Sequence, residues 1–464
     1  MKANKIILYI FFVALFASCE NELDIDPKQT EDASITLGTE GGITNILTGT
    51  YALAANGNAY GGRILLYADL LGVSGSLSTT DLRWRGTFGE LRQMYIKTML
   101  SDNVIIEGTY SRCYEIINAA NTVIENVDKV KDPAKQTRMI GEASFLKSLA
   151  YFDLVRFFAK PYVSGQANTQ LGVVIRPNAI YNFNVDLSKE RSTVDEVYKV
   201  IIDGLNLAYT NLPADNTFYA DKYAAKALLA RVYLQQGNYA EARDAANDVI
   251  ENSGHGLSQT YAAAFNHDTD QTEDVFAIQI TKQTGLNDAN TFYQSEDNGG
   301  RGGDFSIRDH YLEKFSSTDD RATFNYENEA NGRILTSKFT DQFSDVTIIR
   351  LAEMYLIRAE ANLRQGTAVG NTPLDDINTI RSRANADDLS AVTIDDILLE
   401  RELELGMEGF LIHDIKRTKR SIDVSEDGDG SSLLLYDANN LVFPIPLSET
   451  DANKKITQNP GYNN

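Results

Sequence analysis

Apolar and small residues recur most regularly in Lys222–Gly254. Ala227, Ala230, Tyr233 and Leu234 fall at i, i+3 and i+4, the spacing of one helix face. Gly237-Asn238 interrupts the run, and Tyr239, Ala242, Ala246, Val249 and Ile250 begin a second face. The pattern predicts helices over 222–236 and 239–252. Ala230, Tyr233, Gly237, Tyr239, Ala242 and Ala246 stand at the spacings of a tetratricopeptide repeat of about 34 residues. Small residues let such a pair pack closely. A similar first helix recurs at 348–366, with Ala359 and Gly366 in the places of Ala230 and Gly237, and a return helix follows at 374–386. Asp132-Pro133 reads as a capping aspartate with proline at the first helical position, opening 133–158. Thr193-x-x-Glu196 reads as a capping box opening 194–211, which ends before Pro213. A helix at 109–128 pairs with 41–55. Four helix pairs of this kind predict an all-α, tetratricopeptide-like superhelix within one domain, 41–464. Residues 56–107 and 255–347 break the period and are rich in Gly, Asn, Thr and aromatics, so they are expected as loop-rich insertions.

The first residues carry another pattern. Lys2 and Lys5 precede an apolar stretch, Ile6–Ala17, too short for a stable membrane span. Residues 1–18 therefore read as an export signal. Cys19 is open to two readings: an incidental cysteine beside a cleavage site, or the lipidated first residue of a lipoprotein. Ala17 and Ser18, directly before it, favour lipidation, although Phe16 stands where leucine is usual. Acyl chains anchor at about 0.8 kcal/mol per buried methylene, so several on one cysteine hold firmly. Residues 19–40, acidic and interrupted by Pro27, read as a tether. No later segment approaches 18 uninterrupted apolar residues.

Charge narrows the partners. The 464 residues carry 65 acids against 43 bases, a net charge of -22, which argues against nucleic acid because phosphate binding relies on a basic face. Two cysteines make no disulfide framework, and Cys113 reads as a buried small residue on a helix. No phosphate or dinucleotide loop occurs. The four histidines lie far apart, so no metal or cofactor is expected. Ser144-x-x-Lys147 lies inside a repeat helix without the partner motifs of a serine acylase. Glu400, Glu404 and Glu408 fall at i, i+4 and i+8, which suits a carboxylate pair for glycoside chemistry. With Arg401 close by, a solvated or salt-bridged face is the preferred reading. Asp423, Ser425, Asp427 and Gly428 resemble the opening of a calcium loop, but Leu434 stands where a bidentate glutamate is required. An acidic loop is preferred over a weak calcium site.

Two aromatic loops invite a binding role. One, 78–96, holds the only tryptophan, Trp84, flanked by Arg83 and Arg85 and followed by Phe88. The other, 290–312, offers Tyr293, Arg301, Asp304, Phe305 and Tyr311 among glycines. Core use is the plainer reading of each ring, since a lone tryptophan is usually mostly buried. A saccharide site, however, needs these groups: pyranose C–H faces stack on rings, and polar and cationic side chains bond the hydroxyls. Arg83, Arg85, Arg301 and Arg308 suit a negatively charged ligand, or else neutralise Glu90, Asp304 and Asp309.

Taken along the chain, these segments resemble the SusD/RagB-type outer-membrane lipoproteins of Bacteroidetes. "CENELDIDP" is similar to the family's mature start. "YEIINAANTVIENV", "GEASFLKSLAYFDLVRFFAKPY" and "RLAEMYLIRAEANLRQG" are similar to its repeat helices. "LLERELELGMEGFLIHDIKR" resembles its late arginine-glutamate helix, with Leu411 where a basic residue is usual, and "FPIPLSETDANKKITQNPGY" resembles its C-terminus. The resemblance implies a helix-pair scaffold whose insertions form the ligand site. It also implies a surface-exposed, non-catalytic binder that delivers oligosaccharide to a SusC-like TonB-dependent transporter. The stretches matching the family's binding loops hold Trp84 with its neighbours and Tyr293–Tyr311. A peptide ligand, as in the RagB branch, and a surface glycosidase are the competing readings; the lack of a convincing carboxylate pair opposes the second.

Overall fold

The structure, a computed structural model, describes residues 36–75, 80–182 and 184–462. Residues 1–18, expected as an export signal, Cys19 and most of the expected tether 19–40 lie outside the described residues. The long helices are α1 (Glu40–Ala54), α2 (Arg63–Gly72), α3 (Val104–Asn126), α4 (Pro133–Phe158) and α5 (Val194–Asn211). They continue with α6 (Lys222–Gln236), α7 (Tyr239–Asn252), α8 (Leu351–Gln365), α9 (Pro373–Arg383) and α10 (Ile394–Leu405). The chain is largely helical with little sheet, as expected of an all-α protein.

Local chemistry sets the helix ends. Asp132 caps α4 by accepting from Ala134 N–H, with Pro133 at the first turn. Thr193 and Glu196 close the capping box of α5. Gly237 ends α6 in the left-handed region at φ 74°, and Gly366 does the same for α8 at φ 64°. Glycine enters that region without the Cβ clash other residues meet. Consecutive helices then pack on one another: α1 on α3, α3 on α4, and so on through α8 and α9, with α10 also against α8. Ala224, Ala225, Ala227 and Ala230 are all buried on α6, which lets its neighbours approach closely.

Three features differ from the periodicity. Residues 346–350 form a strand, and the helix predicted from 348 begins at Leu351. Within the first insertion lies α2, whose residues Ile64–Gly72 are all buried. Buried on every side and apolar but for Arg63 and Asp69, "RILLYADLLG" is a core helix. Lys97, itself buried, donates to the carbonyls of Leu70 and Val73 at the end of α2. Finally, α10 stops at Leu405, and a turn through Gly406 and Met407 (φ 66°) places Glu408 beyond it.

The sheets are small and antiparallel. Strand β1 (Leu82–Trp84) pairs with β3 (Phe305–Ile307), β3 with β5 (Arg333–Thr336), and β5 with β4 (Asn325–Asn328). Strands β2 (Asp274–Ile278) and β6 (Val346–Arg350) form a second ribbon, and β7 (Ile422–Asp423) with β8 (Leu433–Leu434) a third.

Candidate functional site

The two aromatic loops meet. Antiparallel pairing sets Leu82 opposite Ile307, Arg83 opposite Ser306 and Trp84 opposite Phe305. Alternation along β1 turns Leu82 and Trp84 inward and leaves Arg83 on the other side. Trp84 sits 6.1 Å from Phe292 and 6.2 Å from Phe305, ring centre to ring centre. Gly86 lies against its indole so closely that a Cβ there would fall 2.3 Å from the ring. Trp84 is only 6% exposed, and its buried indole N–H has no protein partner.

This placement corrects the expectation of a tryptophan stacking platform. Phe305 and Tyr293 are each 1% exposed and Tyr311 4%. Tyr293 donates to Asp69 Oδ2 at 2.7 Å, and burial raises that carboxyl to about 7. Tyr311 reaches the Glu402 carbonyl at 3.4 Å. These rings bind the loops to α2 and the late helix; each contributes about 1.5–3 kcal/mol by burial.

Phe88 remains available, 36% exposed, with its edge toward Phe292 at 5.8 Å. The Arg301 guanidinium lies 4.7 Å from the Phe88 ring centre, within cation–π range. Arg301 also donates to Asp304 Oδ2 at 2.9 Å and to Thr87 Oγ1 at 3.1 Å. Burial raises the Asp304 carboxyl, although Arg301 and Arg333 oppose the rise. Phe88 and Arg301 thus form an exposed lip held by the buried rings beneath. Arg85 is exposed, while Arg83, Arg308 and Arg333 are half-buried nearby.

A concavity of about 600 Å³ lies elsewhere, between α1, α3 and the segment 174–180. Its rings, Tyr110 and Tyr114, are 4.8 Å apart. Most of its polar groups are already bonded. Tyr114 donates to the Val174 carbonyl, Asn118 bonds both Ile180 backbone groups, and Glu115 pairs with Arg112. Ser111 and Arg176 also belong to its polar lining.

The late glutamates have another task. Glu400 and Glu404 are buried, and the Glu408 side chain is only 8% exposed. Arg321 bonds Glu400 at 2.6 Å, and Arg350 bonds Glu404 at 3.0 Å and Glu408 at 2.8 Å. Their salt-bridged role agrees with the preferred reading, but the face is buried rather than solvated. Arginine charges pull Glu404 down to about 2 against its burial. Asp423 is likewise engaged: its carboxylate accepts from Ser425 N–H and hydroxyl and from Gly430 N–H. The loop with Asp427 so closes on itself, and among the described residues no cluster of three or more acids, histidines or cysteines is arranged to hold a metal. Leu411 packs over Gly72, where a Cβ would lie 2.5 Å from its side chain, so this departure from the family pattern fills an apolar contact.

Residues 23–234 match a family model described as starch-binding and associating with the outer membrane, and residues 225–462 match the model of the SusD family. A SusD-like protein of Bacteroides ovatus is 26% identical over 373 residues, 67% of this chain and 65% of that protein. The match therefore spans just under two thirds of that relative's length. Among solved structures, a SusD superfamily protein of Bacteroides thetaiotaomicron superposes with a TM-score of 0.81 at 27% identity, covering 91% of this chain and 100% of that one. A Bacteroides vulgatus protein, provisionally described as sugar-binding, superposes with a TM-score of 0.79 at 25% identity, covering 92% and 99%. With these models together running from residue 23 to residue 462, the chain belongs to the SusD/RagB family.

Proposed function

We propose that this protein captures oligosaccharide at the outer membrane and passes it to a SusC-like TonB-dependent transporter, without catalysis. The observation that carries the reading is the β1–β3 pairing, which joins two loops more than 200 residues apart into one lip of Phe88, Arg301 and neighbouring arginines. An exposed ring offers a pyranose face its stacking partner, and guanidinium groups bond hydroxyls. The matched family model, described as starch-binding and outer-membrane-associated, supports the same reading. Lipidation at Cys19, followed by the acidic tether, would hold the binder at the membrane while leaving it room to move against its transporter. The late glutamates are neutralised by buried arginines, which leaves them unsuited to acid–base work.

Phe88→Ala tests the lip. Removing a stacking ring is expected to weaken oligosaccharide binding about tenfold, an aromatic contact being worth of order 1 kcal/mol beyond area. Folding should be unchanged because the ring is partly solvated. Unchanged affinity would place the site elsewhere.

A further inference from the structure

We propose that Arg83, Arg85, Arg308 and Arg333 form a subsite for an anionic group, so that the ligand is an oligosaccharide bearing carboxylate or sulfate. The proposal rests on the glycan-capture reading and names its substrate class.

Strand register brings the four together. Arg83 stands opposite Ser306, one residue from the Leu82–Ile307 pair. Ile307 also pairs with Ile334, so Arg308 and Arg333 are cross-strand neighbours. Paired residues share a face, and Leu82 and Ile307 point inward; Arg83, Arg308 and Arg333 therefore share the opposite face. Arg85 follows directly beyond β1, its N–H held by the Asp304 carbonyl at 2.6 Å. The charges sense one another: burial and the cations of Arg83, Arg333 and Arg308 all lower Arg85. The Tyr95 hydroxyl lies in the field of Arg83, Arg308 and Arg85.

Among the described residues none of the four makes an ion pair, whereas buried Arg231, Arg321, Arg350, Arg358 and Arg417 all do. Asp304, whose carboxyl feels Arg333, is already bonded to Arg301 at 2.9 Å. Of the neutralisation read from the sequence the structure holds the Arg301–Asp304 pair, whereas neither Glu90 nor Asp309 forms an ion pair with Arg83, Arg85 or Arg308 among the described residues. The Arg308 Nε is buried without a partner. Arg333 is anchored by the Gly302 and Gly303 carbonyls, at 3.0 and 2.9 Å, which fix it without cancelling its charge.

In a chain of net charge -22, four unpaired cations on one small face are out of keeping with the rest. Like charges side by side on a sheet cost stability, and partial burial removes the water that would screen them. A bound carboxylate or sulfate relieves both costs, accepting from two guanidinium forks at once. Asp304 links the two: its carboxylate holds Arg301 of the lip and feels Arg333, and its carbonyl holds the Arg85 N–H, so one end of a saccharide can stack on Phe88 while its anionic group enters the arginines.

The test titrates the full chain, purified in detergent, with three oligosaccharide sets of equal length: neutral glucan, oligogalacturonate and a sulfated galactan. At least one acidic set should bind about tenfold or more tightly than the neutral one, and its affinity should fall steeply with salt. Preference for the uronate or the sulfated set identifies the source of the anion. Arg83→Gln with Arg308→Gln should erase the preference while binding of neutral sugar changes little. Should the variant misfold, the salt dependence of the unmodified chain decides. Neutral sugar bound as well as acidic, or a salt-independent preference, overturns the anionic subsite and leaves glycan capture standing. Binding of none of the three sets overturns both.

Discussion

Glu404→Gln tests the buried ionic network around the late helix α10. The side chain is fully buried among Arg321, Arg350 and Arg383, which bring its carboxyl from an ordinary 4.5 to about 2. A shift of this size corresponds to roughly 3 kcal/mol of stability at neutral pH, at about 1.4 kcal/mol per unit. Because the folded value lies below the unfolded one, the contribution is complete above about pH 4.5 and is lost as pH falls toward 2. At pH 3 about 2 kcal/mol of it is already gone. Glutamine keeps the shape and removes the charge, leaving buried cations undercompensated, at a cost of about 3–5 kcal/mol. Urea unfolding at pH 7 and pH 3 measures this: the gap between variant and parent should be large at pH 7 and shrink at pH 3. A gap below about 1 kcal/mol at pH 7, or one that ignores pH, would refute the reasoning.

Two further outcomes follow from burial. Trp84→Ala should cost about 3–5 kcal/mol of stability, because the ring is enclosed by Phe292, Phe305 and Gly86. Thermal unfolding checks this, and an unchanged midpoint would return Trp84 to the surface. Asp69→Asn should gain on the parent as pH rises: the carboxyl moves up to about 7 in the fold, so the parent alone loses stability between about pH 4 and 7, near 1.4 kcal/mol per unit. A pH-independent difference in denaturant midpoints would contradict that assignment.

Much of the helical frame was legible because its signals are local. The caps at Asp132 and Thr193 and the stop at Gly237 act within a turn of the residues they govern, and helices begin and end there as read. Three kinds of information were not local. Helix α2 is buried on every side, so its apolar residues mark no single face. Val346–Arg350 reads as a strand only beside β2, its partner some 70 residues earlier. The site is the third case. Both loops were recognisable by composition, but their joining through Trp84 and Phe305 depends on long-range pairing. That pairing decides which rings are buried, and it leaves Phe88 exposed while enclosing Trp84. Arg333 went unnoticed for the same reason: it is 25 residues from Arg308 in sequence and its neighbour across the sheet.

The central claim, capture without conversion, is tested most directly by equilibrium titration of the full chain with defined oligosaccharides, each recovered afterwards and analysed chromatographically. Saturable binding that Phe88→Ala weakens is expected, with every oligosaccharide recovered intact. Preferential binding of peptides, or shortened saccharides in the recovered ligand, would contradict it.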